Sequence, residues 1–430
     1  MTPEQAFAEA MKFENRPNPY PFFDELRKTP VARVTNGIYA VTGYKEIIAL
    51  AHDPRVSSDL RNSDLVAAIK SGDNAEGAAE VSEANSELME KYGKDPSMIT
   101  SDPPNHDRTR RQAMRHFGPP HSPDLIPSME AYCVAVVNDL LDKARAKGKT
   151  RIDVVDDYAY PLPVAVICRV LGVPLKDEAQ FHIWIGDFLG GVDLGPEAGT
   201  EEGKRRLAKG RASRAEFAKY MIGLIESAEK NPTEGMISQL VHDTGPDGRM
   251  SSSEILTNCA LLLVAGHDST VNLLTNCVLT LLRNPGSMDM LRRRPELVPR
   301  AIEEVLRLES SVQFFPSRSA LADIEINGTT IPKGAPIFLI YAAGNRDPEQ
   351  FTNPDRFDLE REEKESLGWG SGIHTCFGGP LARLEVNVGL EAFLRRVKNP
   401  RLVVDPPPYR PSQVFRGPLH LLVDIDGIGD

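Results

Sequence analysis

The chain has 430 residues, of which 41% are hydrophobic and 26% are charged, and its formal net charge is −11. This composition is typical of a globular protein and excludes a disordered or fibrous one. A chain of this length can bury a core large enough to enclose a cofactor, while its negative charge excludes general binding of nucleic acid, whose phosphates repel it.

No segment of the chain predicts a targeting signal or a membrane anchor. The first residues lack a basic region followed by an apolar stretch, which is the pattern of a secretory signal. No window reaches the roughly 18 consecutive apolar residues of a membrane span. We therefore expect a soluble, cytoplasmic protein with no membrane partner.

The first half of the chain is predicted to begin with mixed structure and continue as helices. Residues 20–28 have helical spacing, and an Asn-Gly pair at 36–37 predicts a hairpin within 34–42. The stretch 57–101 is polar and weakly patterned, and we expect a long excursion with some helix. From 123 to about 230 helical periodicity dominates.

The clearest predicted element begins after Ser251. Ser251 and Glu254 have the spacing of a capping box. The apolar pattern then continues to Leu282, where Asn-Pro-Gly at 284–286 ends it. A helix of about 30 residues would be roughly 45 Å long, which is enough to cross a whole soluble protein.

Shorter elements follow this helix. We predict a helix at 299–308, strands within 320–340 with a turn at Asn327-Gly328, irregular structure at 345–375, a helix at 380–397 and β-structure at 401–426. No internal repeat or low-complexity linker is present. The sequence therefore predicts one domain, spanning residues 1–430, that is mainly α with small β-sheets.

The cysteines differ in their surroundings. Their odd number and irregular spacing exclude a disulfide framework or a zinc site. Four of them lie among apolar residues in helical segments, which is typical of buried free thiols in a reducing compartment; these are Cys133, Cys168, Cys259 and Cys277. Cys376 alone is surrounded by glycines.

The segment 368–383 predicts a loop that stabilises a thiolate. Three glycines precede Cys376 and two follow it, so backbone N–H groups can approach the sulfur closely. A helix begins near Pro380, and a thiolate near a helix N-terminus is stabilised as the anion. The string closely resembles the haem-binding signature of cytochromes P450, and the resemblance extends from about Asn18 to Gly417.

This resemblance implies a cytochrome P450 fold that holds haem b between the long helix and the cysteine loop. Cys376 is then the iron ligand, and its thiolate supplies electron density that favours O–O cleavage. One position departs from the family, which usually has Phe where Trp369 stands. Either Trp369 preserves the packing, or its indole N–H points at the sulfur and weakens the donation.

A second motif lies in the middle of the long helix. The sequence from Ala265 to Thr270 is Ala-Gly-His-Asp-Ser-Thr, which resembles the oxygen-activation motif of the family. By position, Asp268 is the acid and Ser269 the alcohol that relay protons, and Thr270 follows them. Serine keeps the usual hydroxyl but lacks the methyl group that restricts χ1, so we expect proton delivery with more leakage to peroxide.

Charged residues match the structural anchors of the family. Glu304, Arg307 and Arg356 resemble the triad that supports the cysteine loop, although Glu304 and Arg307 alone would be an ordinary helical pair. Four further residues match the usual partners of the haem propionates, to which arginine offers two-pronged hydrogen bonds. These are His106, Arg110, Arg318 and His374.

A basic cluster is predicted near the same segment. The residues are Arg108, Arg111, Arg115 and His116. In the family this face docks an acidic ferredoxin or flavodoxin, and an ordinary solvated helix face is the alternative. Since the chain has no flavin or iron–sulfur motif, electrons must come from separate partners, such as a ferredoxin or flavodoxin with its reductase.

The pocket is expected to accept a small apolar organic substrate together with O2. The candidate lining residues are Leu262, Ala265, Val312, Phe314, Phe315 and Phe415. The resemblance implies a monooxygenase that inserts one oxygen atom into its substrate, by hydroxylation or oxidative dealkylation. A peroxide-driven haem-thiolate enzyme and a non-catalytic haem protein that binds a ligand are the alternatives, and the Asp268–Ser269 pair disfavours both.

Overall fold

The computed structural model describes residues 1–64, 95–117, 122–192, 200–363 and 365–430. Residues 65–94 of the predicted polar excursion lie outside the described residues. The α-helices within the described ranges are α1 (Pro3–Met11), α2 (Tyr20–Arg27), α3 (Tyr44–Ala51), α4 (Asn105–Met114), α5 (Leu125–Ala146), α6 (Pro161–Leu171), α7 (Glu178–Val192), α8 (Glu201–Lys230), α9 (Met236–Val241), α10 (Ser252–Arg283), α11 (Pro285–Arg293), α12 (Val298–Leu308), α13 (Tyr341–Gly344) and α14 (Gly379–Arg396).

The central helix α10 is the predicted long helix. The capping box forms as expected, since Ser251 Oγ accepts from the Glu254 N–H and the Glu254 carboxylate accepts from the Ser251 N–H. The helix has 32 residues and ends where Asn284 precedes Pro285. Its residues are buried on most faces because it packs against α6, α8, α12 and α14.

The strands are short and form one larger sheet and three small ones. They are β1 (Val31–Arg33), β2 (Tyr39–Val41), β3 (Val56–Ser57), β4 (Arg151–Asp153), β5 (Phe315–Ala320), β6 (Ile324–Ile326), β7 (Thr329–Ile331), β8 (Pro336–Leu339), β9 (Val397–Lys398), β10 (Arg401–Leu402), β11 (Leu422–Asp424) and β12 (Gly427–Ile428). The five-stranded sheet has the order β1-β2-β8-β5-β3, the three-stranded sheet β10-β11-β4, and β6–β7 and β9–β12 are pairs.

Both predicted Asn-Gly turns join antiparallel strands. The turn at 35–37 connects β1 to β2, with Gly37 at φ +70°. In the second turn, between β6 and β7, Asn327 and Gly328 both have positive φ. Left-handed backbone conformations of this kind favour Gly and Asn, so both hairpin predictions are confirmed.

Within the described residues, the apolar core consists of three clusters of buried residues, one in the helical part of the fold and two around the sheet and the first helices. The largest cluster joins α5, α6, α8, α10, α12 and α14. A second cluster lies around α1 and α2, and a third covers the five-stranded sheet and α3. Helix α10 therefore lies inside the helical layer, and β5 brings the sheet layer next to it.

The predicted class, mainly α with small sheets, is confirmed, and the differences concern short strands. Within 401–426 only β10 and β11 are strands, and most of the segment between them is irregular. Strand β4 interrupts the helical stretch after residue 123 because it pairs with the distant β11. None of the described helices combines the length and the apolar content needed to cross a bilayer.

Candidate active site

A cavity separates α10 from the segment 367–378, which we call the cysteine loop. Cys376 lines the cavity from the loop, while Ala265, Ser269 and Thr270 line it from α10. The predicted arrangement, a long helix and a cysteine loop that face each other across one cavity, is therefore present.

Glycines shape the cysteine loop. Gly370 and Gly372 have φ values of +71° and +72°. A side chain at Gly372 would also collide with the backbone carbonyl of Ala51 at the end of α3. The Cys376 N–H donates to the Trp369 carbonyl over 2.8 Å. The loop thus needs glycine for backbone conformation and for close packing.

Cys376 differs from the other cysteines in its access to the cavity. It is exposed there, whereas the other four are buried. Surrounding protein still raises the pKa of the Cys376 thiol, and the backbone N–H groups of Gly378 and Gly379 act in the opposite direction. Nearby guanidinium groups also favour the thiolate, so the donors predicted from the glycines are in place.

The indole of Trp369 does not point at the sulfur. Its Nε1–H donates to the Glu303 carboxylate over 2.8 Å. The same carboxylate accepts from Arg383 Nε over 2.6 Å, and the Arg383 guanidinium lies 4.4 Å from the indole centroid. The hypothesis of an N–H···S bond is wrong, and the packing interpretation of Trp369 agrees with the structure.

Ser269 places a hydroxyl at the cavity wall of α10. Its Oγ donates to the Ala265 carbonyl one turn earlier, over 2.8 Å. This bond uses the hydroxyl hydrogen, so the lone pairs of the oxygen can accept hydrogen bonds from other groups. Thr270 also lines the cavity but is 4% exposed.

Asp268 does not line the cavity. Its carboxylate is buried and accepts from Arg410 Nη1 over 3.0 Å. Arg410 belongs to the irregular segment between β10 and β11, and it is 142 residues away from its partner. This pair could not be predicted from the sequence, because no local pattern links the two segments.

Basic side chains gather at one edge of the cavity. Arg110 of α4, Arg318 of β5 and His374 of the cysteine loop all line it. Burial, followed by the charges of Arg318, His106 and Arg110, lowers the pKa of His374 to about 3. Burial also lowers the pKa of Arg110 and of Arg318. Such a cluster favours an anionic ligand, which would offset the repulsion.

His106 lies behind this edge rather than on it. Its ring centroid is 4.5 Å from that of His374, and its Nδ1 contacts the Asp107 carboxylate over 2.8 Å. Its Nε2 is buried and has no hydrogen-bond partner among the described residues. A buried nitrogen without a partner is costly, so a hydrogen-bonding group of a bound cofactor would complete it.

The donor set of the cavity fits haem b. A cysteine sulfur can supply the axial ligand, and the edge formed by Arg110, Arg318 and His374 suits propionate carboxylates. The unpartnered Nε2 of His106 points to the same kind of anion. The remaining lining residues are mostly apolar, as an apolar macrocycle requires.

The charged triad contains a different arginine from the predicted one. Glu304 is bonded by Arg307 and by Arg361 Nε, at distances of 2.8 to 3.2 Å. Arg356, the predicted third member, is exposed and contributes only its backbone carbonyl, which accepts from Arg307 and Arg361. Arg356 and Arg361 lie five residues apart. Arg361 is the third member of the triad because its side chain is buried against Glu304, whereas motif position alone predicted Arg356.

The triad is connected to the cysteine loop through Asn345. Arg307 Nη1 donates to the Asn345 carbonyl over 2.8 Å. The side-chain oxygen of Asn345 accepts from the Leu367 N–H, at the start of the loop, over 2.6 Å. These hydrogen bonds connect Glu304 and Arg307 to the cysteine loop, as their predicted structural role requires.

Five of the six predicted pocket residues line the cavity, namely Leu262, Ala265, Val312, Phe315 and Phe415. The sixth, Phe314, does not; it is 2% exposed and stacks on Phe338 in the second core cluster. Adjacent residues of an extended chain point to opposite sides, so Phe314 faces the second core cluster while Phe315 faces the cavity. Sequence reasoning missed other apolar lining residues, namely Met98, Ile99, Ile167, Leu261 and Val414.

The predicted basic cluster is neutralised by acidic side chains. Arg108 pairs with Glu254, Arg111 with Asp247 over 2.8 Å, and Arg115 with Asp243 over 2.5 Å. His116 also lies 3.5 Å from Asp243. All three acids come from α10 or the segment before it, so the cluster is not the strongly positive face that the sequence predicted.

Comparisons with known proteins agree with this geometry. The family model described as Cytochrome P450 matches residues 292–421. The chain is 33% identical to the cytochrome P450 monooxygenase PikC of Streptomyces venezuelae, over 93% of this chain and 89% of that protein. It is also 33% identical to 6-deoxyerythronolide B hydroxylase of Saccharopolyspora erythraea, with 95% and 96% covered.

Solved structures give the same result. The crystal structure of Mycobacterium smegmatis CYP164A2 in the ligand-free state has a TM-score of 0.84 and 31% identity, covering 98% of this chain and all of that one. Proteins of this kind use O2, an organic substrate and electrons from redox partners. The chain therefore belongs to the cytochrome P450 family and is a haem-thiolate monooxygenase with haem b as its cofactor.

Proposed function

We propose that Cys376 is the axial ligand of haem b in this chain. One observation carries this proposal. Cys376 lies in the cavity opposite Ser269, and it is the one described cysteine that is exposed. The N–H groups of Gly378 and Gly379 support the thiolate form. The whole chain then acts as a single haem domain.

Arg110, Arg318 and His374 hold the haem propionates in this proposal, and His106 stands behind His374 and contributes its unpartnered Nε2. Arg110 also donates to the Thr375 carbonyl over 2.7 Å, next to the ligand cysteine. Binding of the propionates would therefore fix the geometry of the cysteine loop as well as the cofactor.

When bound, haem b with its thiolate ligand supplies the oxidising chemistry that inserts one atom of O2 into the substrate. The chain contributes the proton path. Ser269 presents a hydroxyl oxygen to the cavity, and Asp268 is the acid that supplies the proton. Arg410 pairs with the Asp268 carboxylate over 3.0 Å and fixes its position. Thr270 lies beside them as a second hydroxyl.

The substrate is a small apolar organic molecule in this proposal. The side of the cavity away from the cations is lined by aliphatic and aromatic side chains from α6, α10, β5 and the segments at 98–99 and 414–415. Since the described residues on that side offer no charged partner, burial of a charged substrate would be costly. Hydroxylation and oxidative dealkylation are both compatible with such a pocket.

Electrons come from separate redox partners, and we propose a ferredoxin or flavodoxin with its reductase. None of the five cysteines forms a disulfide bond, which supports the reducing conditions of the cytoplasm. Acidic side chains neutralise the cluster around Arg111. We therefore expect apolar and hydrogen-bonding contacts, in addition to charge, to contribute to docking of the redox partner.

The proposal is tested by purifying the chain with Cys376 and with Cys376→Ser. Bound haem in the first protein should give the red-shifted carbon monoxide spectrum of a thiolate ligand after reduction, and the variant should lose it. The same spectrum in both proteins would contradict the assignment of Cys376.

A ligand screen then separates the possible activities. Apolar compounds that displace the axial water should convert the ferric haem to high spin, and these should be turned over with NAD(P)H, O2 and redox partners. Equal activity with peroxide alone would favour a peroxide-driven enzyme. Binding without NAD(P)H oxidation would favour a non-catalytic haem protein.

A further inference from the structure

His267 is a buried histidine next to the acid of the oxygen motif. Its side chain is 3% exposed and lies on α10 between Gly266 and Asp268. It does not line the cavity. Its Nε2 is buried and has no hydrogen-bond partner among the described residues. An imidazole that only filled space would be poorly chosen here, because the unsatisfied nitrogen costs free energy.

A column of titratable side chains leads from His267 to the surface. The ring centroid of Tyr160 is 4.9 Å from that of His267, and His182 of α7 is 4.6 Å from Tyr160 and 5.9 Å from His267. His182 is exposed. The Tyr160 hydroxyl donates to the half-buried Glu178, which lies one helical turn before His182 on α7.

Burial favours the neutral form of His267, and the charges around it act in both directions. Burial lowers the pKa of His267 most, His182 and Arg410 lower it further, and Asp268 and Glu178 raise it. A neutral imidazole can accept a proton on one ring nitrogen and release the proton of the other. The groups that face His267 therefore suit a proton carrier rather than a fixed cation.

We propose that His267 is a proton-transfer residue that receives protons on the side of Tyr160, Glu178 and His182 and passes them to the Asp268 carboxylate. The inference rests on the proposed role of Asp268 as the acid of the relay. Insertion of one oxygen atom and release of the other as water consumes two electrons and two protons. The redox partners supply the electrons, and bulk water supplies the protons through this column.

The discriminating variant is His267→Phe, which keeps an aromatic ring against Tyr160 and His182 but carries no proton. We expect product formed per NAD(P)H to fall by about tenfold, less than the roughly 10²- to 10⁴-fold cost of a lost general acid or base, because His267 acts through Asp268. Released hydrogen peroxide should rise, and the solvent deuterium isotope effect on turnover should increase. Activity driven by added hydrogen peroxide should stay unchanged, because peroxide brings its own protons.

Two parallel variants make the result interpretable. His420→Gln removes an exposed histidine that contacts Asp153, outside the column, and should leave coupling unchanged. Asp268→Asn tests the relay on which the inference rests. If Asp268→Asn loses coupling and His267→Phe does not, the role of His267 is overturned; if neither loses coupling, the relay itself fails.

A readout without turnover is the nitrogen NMR signal of labelled His267. The ring should stay neutral in Asp268→Asn, and its nitrogen shifts and tautomer balance should change, because the neighbouring negative charge is removed. Unchanged ring signals would contradict the coupling between the two side chains. Equal losses of NAD(P)H-driven and peroxide-driven activity in His267→Phe would show that the ring acts only in packing.

Discussion

At the scale of single residues, the proposed proton path makes Ser269 the residue whose side chain would control how well protons reach the cavity. Its hydroxyl donates to the Ala265 carbonyl, and without a β-methyl group the side chain can rotate away from that position. We predict that Ser269→Thr increases the product formed per NAD(P)H, and that Ser269→Ala lowers it by about 100-fold, the lower end of the range for a lost proton-transfer group. Assays of product, NAD(P)H and hydrogen peroxide in one reaction measure both effects; no gain in the threonine variant would contradict the prediction.

Trp369 gives a second prediction for a single residue. Because its N–H donates to Glu303 and not to the sulfur, Trp369→Phe should leave the reduction potential of the haem unchanged. The variant should lose about 1 kcal/mol of unfolding free energy with that hydrogen bond. Potentiometry and urea denaturation test the two parts, and a clear shift in potential would show that the indole acts on the thiolate.

Which residues could be predicted depended on how local their signals are. Cys376, His374 and Ser269 stand in short motifs, so their places at the cavity followed from the sequence. The pairing of Asp268 with Arg410 joins two segments 142 residues apart, and no spacing rule connects them. Long-range pairs of this kind depend on how the elements pack.

At the scale of elements, the triad that supports the cysteine loop gives the sharpest test. Arg361 is 5% exposed and bonds Glu304, whereas Arg356 is exposed and offers only its carbonyl. Removing one partner of a buried ion pair costs about 3 kcal/mol or more. Arg361→Ala should therefore lower the unfolding free energy and the fraction of protein with bound haem.

Arg356→Ala is the matched control, since it removes a long cationic side chain from the same loop. It should keep wild-type stability and haem content, measured by thermal unfolding and by the ratio of haem to protein absorbance. If Arg356→Ala lowered stability and haem content more than Arg361→Ala, Arg356 would be the third member of the triad, as its motif position predicts.

Elements differed in how far the sequence predicted them. The ends of α10 follow from local chemistry, namely the capping box at Ser251 and the Pro after Asn284, and both were predicted. The strands β10 and β11 have only two and three residues. Strands this short exist because they pair with each other and with β4, which the apolar pattern of 401–426 does not reveal.

At the scale of the whole molecule, the charge is −11, yet α4 carries a dense run of arginines. The structure resolves this contrast, because Glu254, Asp247 and Asp243 neutralise Arg108, Arg111 and Arg115. Added salt weakens the docking of a charged redox partner only to the extent that the charges on the docking face are not already paired within the protein. The rate of reduction by an acidic partner should therefore fall only modestly with ionic strength, not steeply as the arginine run alone predicts.

Asp247→Asn tests this reading of the charge distribution. Arg111 is exposed and is held by Asp247, so the variant adds one uncompensated positive charge to the face of α4. With an acidic ferredoxin, we predict a reduction rate about two- to threefold higher at low salt, and a steeper loss of rate as salt is added. Asp430→Asn changes the net charge equally at an exposed site on Arg145 and serves as the control. Equal effects of the two variants would mean that the net charge of the molecule, and not the pairing of Arg111, governs association.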